Sequence, residues 1–222
     1  MHSDINQLLN VLNFNFFKAK VEPIIGYGKD QFILTDFFKE QLRSAYFRLF
    51  LTDNINYSQN KFEQAFHRSE NVSGFLTIEK YSRRDVCRIL NWDNDFSSTI
   101  YGYRTRDKVT PCFVTYNKSE DLEGDINYND HFINQEVFAW ESRSNRKIDS
   151  DEFKNVINSE RILLFIKKAD SEGVDFYYNG DVEIVPSSIK QGKMPKTNSP
   201  VVHFKFKLDK PVEDNLYNYL VK

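Results

Sequence analysis

Residues 161–185 read RILLFIKKADSEGVDFYYNGDVEIV, and the fold prediction starts from them. Two runs within this stretch, 162–168 and 176–185, are rich in β-branched and aromatic side chains. Turn residues, among them Gly173, separate the two runs. Short runs of this composition, bounded by turn residues, are typical of β-strands. We therefore predict two strands here.

Comparable β-rich runs recur on both sides of this stretch, and few helices interrupt them. We predict further strands at residues 72–78, 99–104, 111–116, 137–140 and 201–208. Ser82 and Asp85 form a capping-box pattern, which predicts a helix from Arg83 to about Leu90. Two more short helices are predicted at residues 150–158 and 214–220. Many short strands with few helices indicate an α+β fold with a compact, strongly curved sheet or β-barrel.

The first 70 residues have a helical pattern instead. Apolar side chains recur there at the three- and four-residue spacing of one helix face: Ile5, Leu8, Leu9, Leu12 and Phe16. Thr35 can cap a second helix and Ser58 a third, shorter one. The inward positions of the second helix are predicted to be Phe38, Leu42, Tyr46 and Leu49. We therefore predict a helical connector at residues 1–70 and a β-rich domain at residues 71–222.

The charge is nearly balanced overall but unevenly distributed. A net charge of -2 gives no argument for a nucleic-acid partner. Acidic residues concentrate in residues 120–130, whereas residues 186–210 contain six Lys and one Asp. A protein of neutral charge can still present a basic face that attracts DNA. Within the Lys-rich stretch, residues 190–199 are predicted to form an exposed flexible loop.

The cysteine content and the hydropathy pattern bear on the compartment. Cys87 and Cys112 are the only cysteines, which argues against a disulfide scaffold and fits a reducing cytoplasm. No apolar run has the length of a signal peptide or a membrane span. We therefore expect a cytoplasmic protein without a membrane partner.

The sequence contains little that predicts catalysis. Its four His lack the paired spacing of a metal site, and no glycine-rich phosphate loop is present. The best nuclease candidate is Glu152 with Lys154 and an upstream Asp149 or Asp151. Acids at this point are better explained as the first turn of a helix, where they favour the positive end of the dipole. We therefore expect no catalytic residues, no metal and no cofactor.

Several segments together resemble a known family. In chain order they are residues 81–92, 102–104, 113–118, 138–146, 164–173, 175–180, 211–212 and 216–220. They are similar to the C-terminal domain of unknown function of SauUSI-type type IV restriction enzymes, which join a phospholipase-D-type nuclease to a DEAD/DEAH-box helicase. The resemblance covers about residues 75–220. It implies an SRA/PUA-like β-barrel, with residues 1–70 as the connector from the helicase.

The resemblance also implies a function. Type IV enzymes cut DNA that carries 5-methylcytosine or 5-hydroxymethylcytosine, and in this architecture the nuclease and the motor lie upstream. The expected role is therefore target recognition in double-stranded DNA, without catalysis by this domain. SRA-like readers rotate the base out of the helix, and aromatic stacking largely offsets the cost of a few kcal/mol. The other expected partners are the upstream helicase and nuclease domains of the same polypeptide.

By the same resemblance, Tyr103 and Tyr116 are predicted to sandwich the base while Asp107 accepts from its exocyclic amine. Trp140 with Ser142 is the alternative wall of this pocket. Arg83 and Arg84 start a helix, where a bound phosphate would balance their charge. The full set of predicted contacts to the DNA backbone is Arg83, Arg84, Arg104, Arg143, Arg146, Lys167 and Lys168, with the Lys-rich loop at residues 190–196.

Two rival hypotheses remain open. The near-neutral charge, the acidic run and the amphipathic N-terminal helices favour a protein-interaction module that couples helicase to nuclease without base readout. An independent nuclease is the weaker rival, for the reasons given above.

Overall fold

The computed structural model describes residues 2–66, 74–117, 130–195 and 197–222, which form an α+β fold as predicted. The described helices are α1 (His2–Leu12), α2 (Asp36–Gln41), α3 (Ala45–Phe66), α4 (Arg83–Ile89), α5 (Asp151–Ile157) and α6 (Asp214–Val221). The described strands are β1 (Ile25–Gly28), β2 (Gln31–Leu34), β3 (Lys80–Ser82), β4 (Val109–Asn117), β5 (His131–Asn134), β6 (Val137–Glu141), β7 (Arg161–Ala169), β8 (Asp175–Ile184), β9 (Lys190–Lys193) and β10 (Pro200–Leu208). No helix in these ranges is both long and apolar enough to cross a membrane.

The chain divides into two compact units. The first comprises Met1–Leu76 and Arg84–Ser98, and the second comprises Thr77–Arg83 and Thr99–Lys222. The first unit therefore includes most of α4 in addition to the N-terminal segment that was predicted to be a connector.

The first unit contains α1, the antiparallel hairpin β1–β2, α2 and α3. Thr35 caps α2 as predicted, because its hydroxyl accepts the Phe38 N–H at 3.3 Å. The first predicted helix is confirmed as α1, but the cap at Ser58 and the inward positions of Tyr46 and Leu49 are wrong. Ser58 lies inside α3, and Tyr46 and Leu49 are 78% and 65% exposed. The chain leaves the helical path between α2 and α3, so the apolar spacing of α2 does not continue into α3.

The second unit is built on an eight-stranded sheet with the order β4-β7-β8-β10-β6-β5. β4 and β7 are parallel, and the other pairs are antiparallel. β8 pairs with β3 near its beginning and with β10 at its end, and β10 in turn pairs with β9 near its beginning. A bulge between β7 and β8 leaves Asn179 unpaired beside Gly180, whose φ of +117° suits glycine. Shared edges and bulges of this kind bend a sheet strongly.

The sheet is not closed into the barrel that was predicted. A barrel requires its two terminal strands to pair through their backbones. The terminal strands β4 and β5 make no such pairing in the described ranges. They meet through side chains instead, since the Tyr116 ring stacks on Phe132 with centroids 6.1 Å apart.

Five predicted strands are confirmed as β4, β6, β7, β8 and β10, and the helices at α4, α5 and α6 are confirmed as well. Residues 99–104 form a turn rather than a strand, because Gly102 adopts a positive φ of 80°. In the described part of residues 72–78 there is no strand, and β3 follows instead. The expected flexible loop is also wrong in part, since Lys190–Lys193 pair with β10.

Aromatic side chains pack on both faces of the sheet. Phe138 and Phe206 belong to the main core. Phe165 lies on the opposite face with Phe113 and Phe176, because it alternates with the core residues Leu164 and Ile166 along β7. Phe138, Phe165, Phe176 and Phe206 are at most 1% exposed. Ring pairs connect them to their neighbours, such as Phe113 with Phe165 at 5.0 Å. This packing holds the second unit together and fixes the backbone that carries the site described next.

Candidate functional site

A cleft of about 330 Å³ lies in the second unit, at the lower end of the size range of small-molecule pockets, roughly 300–1,000 Å³. Its walls come from the turn before β4, from the loop after β6 and from the first two turns of α5. The lining side chains are Thr99, Tyr103, Arg104, Thr105, Arg143, Glu152 and Asn155. The cleft therefore brings together three residues predicted from the sequence, Tyr103, Arg104 and Arg143.

Tyr103 forms the floor of the cleft and is only 2% exposed. Its backbone bridges to Cys112 of β4, and its ring packs edge-on against Trp140 at 5.1 Å. The Tyr103 hydroxyl lies beside the Glu152 carboxylate without making a hydrogen bond of normal geometry. Burial, and then this carboxylate, raise the pKa of Tyr103 well above its ordinary value. The side chain is therefore a fixed, neutral hydroxyl.

Arg143 organises the wall opposite α5. Its guanidinium donates to the carbonyl oxygens of Tyr101, at 2.6 Å, and Tyr103. The same group lies over the Tyr103 ring, 4.5 Å from the centroid. A planar guanidinium can make these contacts together because its donors form a rigid fork. Arg143 thus holds the turn at residues 101–103 in place.

Glu152 lies in the first turn of α5 between two arginines. Its Oε2 accepts from Arg146 Nε at 2.6 Å, and its Oε1 lies 3.4 Å from Arg143. Burial by itself would raise the pKa of Glu152. The hydrogen bond from Arg146, the Tyr103 hydroxyl and the two positive charges outweigh burial and lower that pKa. Glu152 is therefore ionised at neutral pH.

Two polar atoms of this cleft are buried without a hydrogen-bond partner among the described residues: Tyr103 Oη and Glu152 Oε1. Buried polar atoms are nearly always satisfied, and an unsatisfied one costs about 1–3 kcal/mol. One of these atoms is an acceptor only, and the other can donate or accept. The two side chains interact with each other, and Glu152 Oε1 also forms an ion pair with Arg143, so they make one buried polar group at the cleft.

The phenylalanine variant of Tyr103 tests this state of the hydroxyl. Because no bond is lost, we expect Tyr103→Phe to leave the free energy of unfolding unchanged within about 0.5 kcal/mol, or to raise it. Urea denaturation followed by far-UV circular dichroism measures the difference. A loss above about 1.5 kcal/mol would show that the hydroxyl is bonded in the free protein.

Trp140 and Ser142, which the sequence predicted together as the alternative wall of the pocket, are not among the side chains that line this cleft. Trp140 is 4% exposed and packs between Tyr103 and Phe206. The Ser142 hydroxyl is fully engaged, accepting from Val202 N–H and donating to the Arg143 carbonyl. Both side chains support the cleft from behind.

Tyr116 and Asp107 also lie apart from Tyr103. Tyr116 is four residues further along β4 than Cys112, the partner of Tyr103, and hence about 13 Å away along the strand. Its ring stacks on Phe132 instead. The Asp107 side chain is 83% exposed and pairs with Arg106 at 3.4 Å. In this structure the predicted sandwich of Tyr103 and Tyr116 is therefore not formed, and Asp107 does not line the cleft.

The predicted backbone contacts fall into separate places. Arg104 and Arg143 line the cleft, and Arg146 supports Glu152. Arg83 lies over the Phe176 ring at 5.0 Å. Lys167 is 7% exposed and pairs with Asp170. Arg84 forms an ion pair with Asp95 at 2.7 Å. The Lys168 ammonium lies over the Tyr219 ring, 5.0 Å from its centroid.

The sequence interpretation considered Glu152 only as a nuclease candidate and did not place it at a binding cleft. Glu152 was read as an acid that favours a helix start, and that reading of the helix is confirmed. The sequence does contain one usable signal. Arg143 and Arg146 precede Glu152 closely, which predicts an ion-paired acid at the start of α5. Thr99, Thr105 and Asn155 carry no sequence signal that would place them at the cleft.

A second cleft of about 410 Å³ lies beside β10 and includes Trp140, Glu141 and His203. None of its lining side chains, all within the described ranges, has a buried polar atom without a partner. Groups of three or more His, Cys, Asp or Glu that could hold a metal are likewise absent from the part of the chain described. The Tyr103 cleft is therefore the better candidate site.

Comparisons with solved structures give low similarity scores. The SRA domain of SUVH5 with fully methylated CG DNA has a TM-score of 0.41 and 15% identity, covering 64% of this chain and 95% of that chain. Arabidopsis thaliana SUVH6 with SAM has a TM-score of 0.39 and 13% identity, covering 66% and 29%. KRYPTONITE with mCHG DNA and SAH has a TM-score of 0.39 and 9% identity, covering 80% and 41%.

Sequence comparisons give one clear result. No curated protein matches the chain. The family model described as "Domain of unknown function (DUF3427)" matches residues 75–220, about two thirds of the chain. The chain therefore belongs to the DUF3427 family.

Proposed function

We propose that this chain is a DNA-recognition domain that binds double-stranded DNA carrying 5-methylcytosine or 5-hydroxymethylcytosine and performs no catalysis itself. The observation that carries the proposal is the Tyr103 cleft, which a buried tyrosine, a carboxylate and two arginines line together. A flat, polar-edged base that leaves the DNA stack is a ligand of suitable size and chemistry for such a cleft.

The charge around the cleft supports this ligand. Residues 101–108 and 142–147, which contribute to its walls, carry net charges of +2 and +3. Arginines near a cleft can hold the phosphates on either side of an extruded nucleotide. Tyr101, 71% exposed and held through its carbonyl by Arg143, offers a ring on which a base can stack.

The threonines offer a contact for the C5 methyl group. The Thr99 hydroxyl accepts from Arg104 at 2.7 Å, and the Thr105 hydroxyl bonds to Thr110 at 2.7 Å. With both hydroxyls engaged, their methyl groups remain as apolar surface. Threonine methyl groups are among the usual contacts of a pyrimidine C5 methyl.

The biological context follows from the sequence resemblance described above. We propose that the chain serves a type IV restriction system, with helicase and nuclease domains upstream in the same polypeptide and with the N-terminal residues 1–70 as the connector. A cytoplasmic location fits this role.

The proposal is tested by titrating the chain against two duplexes of one sequence, one with 5-methylcytosine and one with cytosine. We expect the methylated duplex to bind at least about tenfold more tightly, the effect of one good base contact of 1–3 kcal/mol. The affinity for both should fall steeply with salt, because phosphate contacts release counterions. Equal affinities at every salt concentration would refute methyl recognition.

A second candidate function is a protein-docking module that couples helicase to nuclease. It is favoured by α3, on which large apolar side chains such as Tyr46, Leu49 and Phe50 are 65–78% exposed. Exposed apolar surface of this kind is typical of interaction sites. If docking is the only function, the chain will bind methylated and plain DNA equally.

A further inference from the structure

We propose that the second cleft, the one beside β10, binds a phosphate group through Lys190 and Lys205. This inference goes beyond the proposed function, because it involves neither a base nor the Tyr103 cleft. A phosphate group can reach the chain from two sources, the backbone of DNA or a free nucleotide, and one experiment separates the two.

The register of three strands produces the hollow of this cleft. In β10 the buried Phe204 and Phe206 flank Lys205, which therefore points away from the main core. Lys205 pairs with Ala139 of β6, and Ala139 pairs in turn with His131 of β5. Side chains in one row of a sheet face the same way, and two strand spacings amount to about 10 Å. Only the methyl group of Ala139 stands in this gap between Lys205 and His131.

Two lysines at the hollow lack a counter-ion. Lys190 of β9 and Lys205 of β10 are both exposed and line the cleft, and neither forms an ion pair within the part of the chain that the structure describes. Lys190 lies opposite His203, two positions before Lys205 on β10. The backbones of the two lysines are therefore roughly 8 Å apart. Two lysine side chains can converge on one phosphate group across this distance.

Glu141 is the one acidic side chain in the lining, and it is already engaged. Its carboxylate lies 3.0 Å from His203 Nδ1, and its side chain is only 13% exposed. The other side of the His203 ring lies against Gly192, where an added Cβ atom would overlap the ring. The ring is thus confined beside Glu141. The negative charge of this carboxylate is directed to His203 rather than into the cleft.

The turn before β9 adds hydroxyl groups. Ser188 Oγ donates to the Val185 carbonyl at 2.6 Å and accepts from the Lys205 N–H at 2.8 Å, which fastens this turn to β10. The Ser187 hydroxyl is exposed and lines the cleft. Lysine and serine side chains are common ligands of phosphate oxygens. The cleft of about 410 Å³ therefore combines two ammonium groups with a hydroxyl.

The experiment titrates the full 222-residue chain with two probes, an unmethylated DNA duplex and deoxyadenosine monophosphate. The double variant Lys190→Ala/Lys205→Ala should bind the duplex at least about fivefold more weakly at low salt. The slope of log affinity against log salt should flatten by about one, because one phosphate contact is lost. The matched control is Lys207→Ala, which removes an exposed lysine from the same face of β10, opposite Glu183 and outside the cleft. It should change the affinity by less than about twofold.

A second variant removes the space and keeps the charge. Ala139→Leu fills the gap between Lys205 and His131 on the face of β6 that points away from the main core. It should weaken phosphate binding about as much as the double lysine variant. Urea denaturation and far-UV circular dichroism check that each variant remains folded.

Each result has one meaning. Loss of duplex affinity in both variants identifies DNA as the source of the phosphate, and loss of nucleotide affinity alone identifies a free nucleotide. If Ala139→Leu binds both probes like the wild type, the lysines act only as diffuse charge and the proposed site is refuted. Failure of the wild-type chain to bind either probe refutes it as well. Neither probe carries 5-methylcytosine, so these results are independent of methyl recognition.

Discussion

Replacing Trp140 by alanine is expected to lower the free energy of unfolding by about 3–5 kcal/mol, as for other buried aromatic side chains. The Trp140 ring is 4% exposed and contacts Tyr103, Phe204 and Phe206 at centroid distances of 4.9–5.4 Å. Its removal leaves a cavity in the aromatic core. Native domains have about 5–15 kcal/mol of stability, so the variant should lie close to unfolding.

Urea denaturation of the Trp140→Ala variant, followed by far-UV circular dichroism, measures this loss. The matched control is Tyr101→Ala, which removes a ring that is 71% exposed and should change the free energy of unfolding by less than about 0.5 kcal/mol. If the Trp140→Ala variant is already partly unfolded at low urea, we attribute any loss of its DNA binding to this unfolding. A destabilisation below about 1 kcal/mol would contradict the core position of this ring.

The strand prediction succeeded where burial and sequence pattern agree. Residues 162–166 are continuously apolar, as expected of β7, which is paired on both sides with β4 and β8. The pattern failed where a single backbone angle determines whether a strand continues. Gly102 and Ile78 both adopt a positive φ, which ends an extended run that the side chains alone would continue. The sequence pattern also could not predict whether the barrel closes, because closure depends on the pairing of two strands that are distant in the chain.

The candidate site was predictable only in part. Tyr103, Arg104 and Arg143 were selected from the sequence and do line one cleft. Asp107 and Glu152 are both acids near a turn, and only their surroundings separate them. Asp107 faces solvent, whereas Glu152 meets two arginines contributed by the loop after β6. Tertiary contacts of this kind leave no periodic pattern in a sequence.

Replacing Arg143 by alanine is expected to lower the free energy of unfolding by about 2–3 kcal/mol and to weaken binding of methylated DNA at least about tenfold. The carbonyls of Tyr101 and Tyr103 lose their donor, and Glu152 keeps Arg146 but loses its second cation. Since the turn at residues 101–103 forms one wall of the cleft, its release should also remove the shape on which binding depends. Denaturation and DNA titration of the same preparation measure both effects.

Two substitutions separate construction of the cleft from direct contact with DNA. Arg143→Lys retains the charge, but an ammonium lacks the planar fork that reaches both carbonyls, so we expect about half of the stability loss. Lys147→Ala removes an exposed charge from the same loop and should change stability by less than about 0.5 kcal/mol. If Arg143→Ala unfolds like the wild type and loses only DNA affinity, Arg143 acts at the phosphates instead. In that case Arg143→Lys should recover most of the affinity, because a point charge is sufficient for phosphate.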